Sequence, residues 1–435
     1  GDLSMNLFSL GERAKGAVDT CVHCGLCLEA CPTYRELGIE DDSPRGRIHL
    51  IRNLDLGVIQ PTPKVIEHLD LCLGCRACES ACPSGVQYGA IIEDARAKLE
   101  AGRQRGFWER SLRSLFFRGL FPHPSRLRAL ARTIRLTQRL KLDRFAAASG
   151  LMKLMPRPVA AMADVSVIPD TFGRDALPEF VPARGESRYT VAFITGCVMD
   201  VMFGPTNIAS VRVLAANGCD VHIPRAQTCC GALQLHGGDE ATAVALAMRN
   251  IDTFLATGAE YIIINAAGCG STLKEYHHLL HGTAYEEKAR DFVGRVRDIS
   301  EFLAAIDLVP PTHAVPSVAT YQDACHLAHG QGVRMAPRKL LAQVPGLTLV
   351  PLPESDTCCG SAGIYNLVEY DMSMDVLKRK MENVASTRAA VVVSANPGCI
   401  MQLRLGAKQR GLNIEVLHII DVLDRAYGPE PGKGG

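Results

Sequence analysis

Eight cysteines in the first 82 residues repeat one pattern twice. Cys21-x2-Cys24-x2-Cys27-x3-Cys31-Pro32 is followed by Cys72-x2-Cys75-x2-Cys78-x3-Cys82-Pro83. Three cysteines at spacing three wrap one face of a [4Fe-4S] cubane, while the fourth is carried off by the turn at Pro and reaches a second cube. The spacing therefore assigns Cys21, Cys24, Cys27 and Cys82 to one cluster, and Cys72, Cys75, Cys78 and Cys31 to the other. Zinc tetrads pair two CxxC elements and have no use for the x3-Cys-Pro arm. Disulfides belong to small secreted frameworks, and a chain of 435 residues builds cores without them.

The remaining cysteines are also clustered. Of 17 in all, eight precede residue 83, five lie between 197 and 269, four lie between 325 and 399, and none falls in 83–196. Scattered packing thiols would not group in this way. Hydrophobic residues make up 47% and charged residues 21%, an ordinary globular balance. The net charge of +1 argues against nucleic acid as a partner. No run of 18 apolar residues and no signal peptide is present, so a cytoplasmic protein is expected. Met5 follows a Gly start, and residues 1–4 are read as a trimmed or appended stretch.

Between the two motifs, Ile48–Leu56 and Val65–Leu71 show helical periodicity and predict a helical wrapper around the two cubes. Arg45 and Arg47 either face the negative cluster environment, meet a partner, or begin a solvated helix. His23 lies inside the first motif, where the thiolate count is already complete, and is read as lining the cluster.

The later cysteines repeat at an offset of 128–130 residues. Cys197, Cys229-Cys230-Gly231 and Cys269 correspond to Cys325, Cys358-Cys359-Gly360 and Cys399. Thr228 matches Thr357, and Gly268 matches Gly398. Each unit reads as one duplicated domain. In the first, the predicted strands are Tyr189–Thr195, Val221–Pro224 and Tyr261–Asn265, with helices over Asn207–Asn217 and Asp239–Thr257. In the second, the strands are Val318–Gln322, Leu347–Leu352 and Ala390–Ala395, with helices over Pro337–Gln343 and Val368–Ser386. Apolar strands alternating with helices imply parallel sheets. Ligands gather beyond the carboxyl ends of such strands, where Cys197, Cys269, Cys325 and Cys399 all lie. Cys219 is outside both patterns and is read as a buried structural thiol.

The tandem Cys…Cys-Cys-Gly…Cys pattern behind a two-cluster ferredoxin resembles the cysteine-rich (CCG) domain family. That family includes a component of heterodisulfide reductase, the iron-sulfur subunit of anaerobic glycerol-3-phosphate dehydrogenase and the lactate utilisation proteins. In length and order the resemblance is closest to glycolate oxidase (glycolate dehydrogenase) iron-sulfur subunits. It implies an electron-transfer subunit of a flavin-dependent 2-hydroxy-acid dehydrogenase, oxidising glycolate to glyoxylate, with electrons passing to a quinone or another acceptor. Subunits of lactate or glycerol-3-phosphate dehydrogenases are the alternatives, as is a heterodisulfide-reductase-like subunit with catalytic CCG domains. The family pattern ends in Cys-x-x-Cys, but here Ala266 and Asn396 stand at the earlier position. At most four thiolates remain per site, namely Cys197, Cys229, Cys230 and Cys269, and Cys325, Cys358, Cys359 and Cys399. This weighs against disulfide reduction and leaves an ordinary [4Fe-4S] cluster, zinc, or unmetallated thiols. His326, beside Cys325, is either a replacement ligand or a hydrogen-bond donor to one.

Residues 103–157 carry 14 Lys or Arg against Glu109 and Asp143, a net of +12, which leaves the rest of the chain at −11. Leu112, Leu115, Phe116, Leu120, Leu127, Leu130, Ile134 and Leu140 recur at helical spacing. Such a segment docks on an acidic partner, lies on the inner face of a membrane, or packs on its own chain. No dinucleotide fingerprint, P-loop or H-E-x-x-H is present. A flavin is therefore expected only in a partner subunit, and the isolated chain is expected not to catalyse. The predicted fold is α/β plus α. It comprises a helical ferredoxin-type domain over 1–102, a basic helical connector over 103–187, and two α/β CCG domains over 188–312 and 313–435.

Overall fold

The computed structural model describes residues 8–103, 105–142, 149, 155–163 and 165–428. Residues 1–4, together with Asp143, Arg144 and Lys153 of the basic connector, lie outside them.

The ferredoxin part is helical, as the sequence indicates. Its two wrapping helices, Pro44–Asp55 and Pro63–Asp70, begin before their apolar runs because of local capping. Ser43 accepts from the Gly46 amide and Thr62 from the Val65 amide, each followed by a proline at the first helical position. Gly46 is required there, since a Cβ would lie 2.0 Å from the Glu40 carbonyl oxygen.

Two mostly parallel sheets follow. The first contains β1 (Phe180–Val181), β2 (Tyr189–Ile194), β3 (Cys219–His222), β4 (Tyr261–Ile264) and β5 (Val296–Asp298), in the order β1-β3-β2-β4-β5. Only β1, from the stretch between the ferredoxin part and the first CCG unit, runs antiparallel. The second contains β6 (Ser317–Tyr321), β7 (Leu347–Val350), β8 (Val391–Ser394) and β9 (Glu415–His418), all parallel, in the order β7-β6-β8-β9. Apart from β1, the two orders are the same, as a duplication requires. Ala192, Ile194, Ile262 and Ile264 enter one core, while Val191, Phe193 and Ile263 enter another on the opposite face. Both faces are covered, which accounts for the unbroken apolar runs.

The units are packed together. Helix Gly204–Ala216 lies on helix Ile419–Tyr427, with Arg212 paired to Asp424. The loops that carry the last cysteine of each site also meet. The Ala267 amide donates to the Ala395 carbonyl (3.1 Å) and the Gly268 amide to Asn396 Oδ1 (3.2 Å).

The basic connector forms helices Phe107–Ser114 and Pro124–Arg139 around a π-helical turn, Leu115–Leu120. Much of its charge is met by this chain. Arg105 and Arg113 pair with Glu100, Arg118 with Asp239, Arg128 and Arg132 with Asp175, and Arg139 with Asp170. Phe117, Leu127 and Ala131 are buried, while Phe107, Trp108, Leu112, Leu115 and Phe116 stay exposed. Among the described residues, no helix is long and apolar enough to cross a membrane.

Candidate metal centres

The ferredoxin cysteines surround two recesses. One, of about 420 Å³, is lined by Cys21, Cys24, Cys27 and Cys82, with Cys78 at its wall. The other, of about 310 Å³, is lined by Cys31, Cys72, Cys75 and Cys78. Each recess is lined by the four cysteines that the spacing groups together, Cys78 lines both, and all 17 cysteines are free thiols. Positive φ shapes both loops at matching positions, His23 and Gly25 in the first, Gly74 and Arg76 in the second. Such turns aim successive thiols and amides inward, and the Gly74 amide donates to Cys72 Sγ (3.3 Å).

Burial raises the Cys27 pKa to about 11, with Cys21 and Cys82 adding repulsion. In the second recess burial holds the Cys75 and Cys78 thiols well above their ordinary value, and Cys72 is the exception. Burial pushes Cys72 up, but Arg47 and Arg96 bring it below its ordinary value. Arg47 is 1% exposed and donates to His68 O (2.6 Å), Thr33 Oγ1 (3.1 Å) and Cys31 Sγ (3.9 Å), with Asp42 at 3.5 Å. Arg47 therefore faces the thiols. Arg45 instead pairs with Glu40 and braces the first loop through His23 O (3.2 Å).

In the first CCG unit the thiols run in a chain of contacts, Cys197 to Cys229 (3.7 Å), then Cys230, then Cys269. In the second they run Cys325, Cys358, Cys359, Cys399. The motif glycines, Gly231 (φ +84°) and Gly360 (φ +92°), are left-handed and seat each turn on a long helix. These helices are Glu240–Leu255 and Tyr370–Ser386. Among the described residues, no group of three His, Cys, Asp or Glu could hold a single metal ion. A cubane differs in placing its thiolates around a recess rather than around one point. The donor set, soft thiolates alone, suits such a cluster.

At the position of the family's missing cysteine, Asn396 donates to Cys399 Sγ (3.5 Å) and accepts from Gly268, while Ala266 is buried. His326 is held neutral, its pKa lowered to about 4 by burial, then by His236 and Arg76. Its ring stacks on that of His236 at 5.6 Å. Cys219 is fully buried in β3, its thiol pushed up to about 12 chiefly by burial.

The tertiary structure also sets the order of the sites. Cys75 and Cys358 share one apolar cluster with Leu73, Ala77, Tyr365, Met372 and Val376. Tyr365 Oη donates to the Leu71 carbonyl across this seam (2.9 Å). The second CCG site thus abuts the second ferredoxin recess, a contact with no sequence signature. Lys380, beside the second CCG site, also went unread. A lysine on the inward face defined by Val376, Leu377, Met381 and Val384 was a legible signal.

Fold and sites together define an iron-sulfur protein that joins a dicluster ferredoxin to tandem cysteine-rich domains. Residues 17–86 match the family model of the 4Fe-4S dicluster domain, and 191–274 and 319–404 match the cysteine-rich domain. Residues 108–166 match the linker region of the glycolate oxidase iron-sulfur subunit. The chain is 41% identical to the probable glycolate oxidase iron-sulfur subunit of Bacillus subtilis (strain 168), over 95% of each chain. It is 33% identical to the glycolate oxidase iron-sulfur subunit of Escherichia coli (strain K12), over 96% of each. Lactate utilization protein A of Oceanobacillus iheyensis is 32% identical over 53% of this chain and 95% of its own length. The chain belongs to the family of glycolate oxidase iron-sulfur subunits.

Proposed function

We propose that this chain is the electron-transfer subunit of a flavin-dependent complex that oxidises glycolate to glyoxylate. In this reading a flavin-containing partner removes the hydride, and this chain relays electrons to a quinone or another acceptor. The observation that carries it is the order of the thiol sites. Cys24 is the one exposed thiol, the second recess is buried, and Cys75 packs against Cys358. Glycolate is favoured over lactate because the relatives matching nearly the whole chain bear the glycolate name, while the lactate utilization protein matches about half.

Cys21, Cys24, Cys27 and Cys82 would hold one [4Fe-4S] cluster, and Cys31, Cys72, Cys75 and Cys78 the other. Cys325, Cys358, Cys359 and Cys399 would hold a third, and Cys197, Cys229, Cys230 and Cys269 form the corresponding first CCG site. Bound there, such clusters accept and release single electrons. The chain's own groups offset thiolate charge through Arg47 and Arg96, donate amides from Gly74 and Gly360, and exclude water around Cys75 and Cys358. The exposed Phe107–Phe116 face supports attachment to a partner, and peripheral attachment at the cytoplasmic side of a membrane extends the proposal.

The test is anaerobic purification with iron, sulfide and zinc analysis, then assay with and without the flavin subunit. Iron and sulfide with glycolate oxidation only in the presence of the partner is the expected result. Glycolate oxidation by the isolated chain overturns it. Zinc without iron selects a structural scaffold, and heterodisulfide reduction by the isolated chain selects catalytic CCG domains.

A further inference from the structure

We propose that Lys380 is a fixed buried charge that raises the reduction potential of the second CCG centre, a charge that the duplicated first site lacks at the equivalent position. The inference rests on the reading that the second CCG site holds a cluster.

Lys380 is 2% exposed. Its Nζ donates to Glu354 O (2.5 Å) and Ser355 O (3.2 Å), in the loop that leads into Cys358 and Cys359. The carboxylates around it are already matched. Glu354 pairs with Arg35 and Arg379, Asp356 with Arg334, and Asp323 with Arg338. Among the described residues, no carboxylate lies within ion-pair distance of Lys380. A buried ammonium needs opposing charge. Burial lowers its pKa, and of the charges opposing that effect Cys359 and Cys358 come first.

The duplication supplies an internal control. Gly231 sits over Ala243 and Gly360 over Ser373. The register that carries residue 243 onto 373 carries Asn250 onto Lys380. Asn250 ties its own loop by accepting from the Thr228 amide (2.9 Å) and donating to Cys229 O (2.9 Å). The buried Arg174 also donates to this loop, at Gln227 O (3.0 Å), but its guanidinium faces the Asp200 carboxylate at 3.9 Å. What Lys380 adds is a buried charge that no carboxylate of its own matches. It stands at the CCG site that touches the ferredoxin, where an electron received from the neighbouring centre adds one negative charge. The ammonium stabilises that charge, and an amide does not.

Anaerobic redox titration of the full chain, followed by electron paramagnetic resonance, tests this with Lys380→Gln, a neutral donor, and Lys380→Arg. Lys380→Gln should lower one midpoint by a factor of at least ten in the reduction equilibrium, about 59 mV for one electron. The ferredoxin midpoints should stay fixed, and Lys380→Arg should restore the shifted one. If Lys380→Gln loses iron, Lys380→Asn, the residue that the first copy carries at this position, replaces it and should lower the same midpoint. Wild-type iron near eight per chain refutes the third cluster itself. Iron near twelve with every midpoint unmoved in Lys380→Gln refutes the role of Lys380 alone.

Discussion

Arg47 lies between two acceptor sets, Asp42 and Thr33 on one side and the Cys31 and Cys72 thiols on the other. Removing one member of such a buried set leaves uncompensated charge. Arg47→Met is expected to cost about 3–5 kcal/mol in thermal unfolding, and iron analysis should show loss of the second recess first. Cys27→Ser should empty the first recess, stopping acceptor reduction while glycolate still reduces the partner flavin, a result readable by stopped-flow absorbance. Cys219→Ser should leave iron content unchanged and cost about 1–3 kcal/mol, because a buried hydroxyl replaces a thiol in β3. Asp298 titrates in the folded state near pH 6, raised chiefly by burial, against about 3.9 when unfolded. The folded chain thus binds more protons between those values, and stability falls as pH rises from about 4 to about 6. Asp298→Asn should flatten that slope in denaturant titrations.

At the scale of elements, Gly360 allows no side chain. A Cβ would meet the Ser373 carbonyl oxygen at 2.5 Å, on a backbone at φ +92°. Gly360→Ala should disturb the second CCG site, seen as lost metal there with the ferredoxin spectrum retained. The longer strands and helices were legible because apolar period and turn residues agree over several residues. Helix Gly204–Ala216 begins three residues before its predicted start, since Pro205 fits the first turn. The strands β5 and β9 were not foreseen. Each has only three or four residues, and its last residue, Asp298 or His418, already caps the next helix. Periodicity has no room to show there.

For the molecule as a whole, the basic connector is a strap, tied to its own chain by its arginines. Its arginines were legible as a +12 segment, but their partners, Asp239, Asp175 and Asp170, are distant in sequence or unremarkable in pattern. The seam between Cys75 and Cys358 predicts a division of effects in the reconstituted complex. Cys358→Ser should leave glycolate able to reduce the ferredoxin centres while slowing reduction of the final acceptor, and freeze-quench spectroscopy separates the two.

What the sequence determined by itself was the dicluster spacing of the first eight thiols and the duplication of the CCG unit. Ligand spacing is local and survives as a pattern in one dimension. The tertiary structure decided which CCG site meets the ferredoxin, which arginine faces the thiols, and that Lys380 and Asn250 each bond the loop of their own thiols. Those outcomes depend on side chains brought together from distant segments, where burial turns an ordinary charge into a neighbour's electrostatic environment.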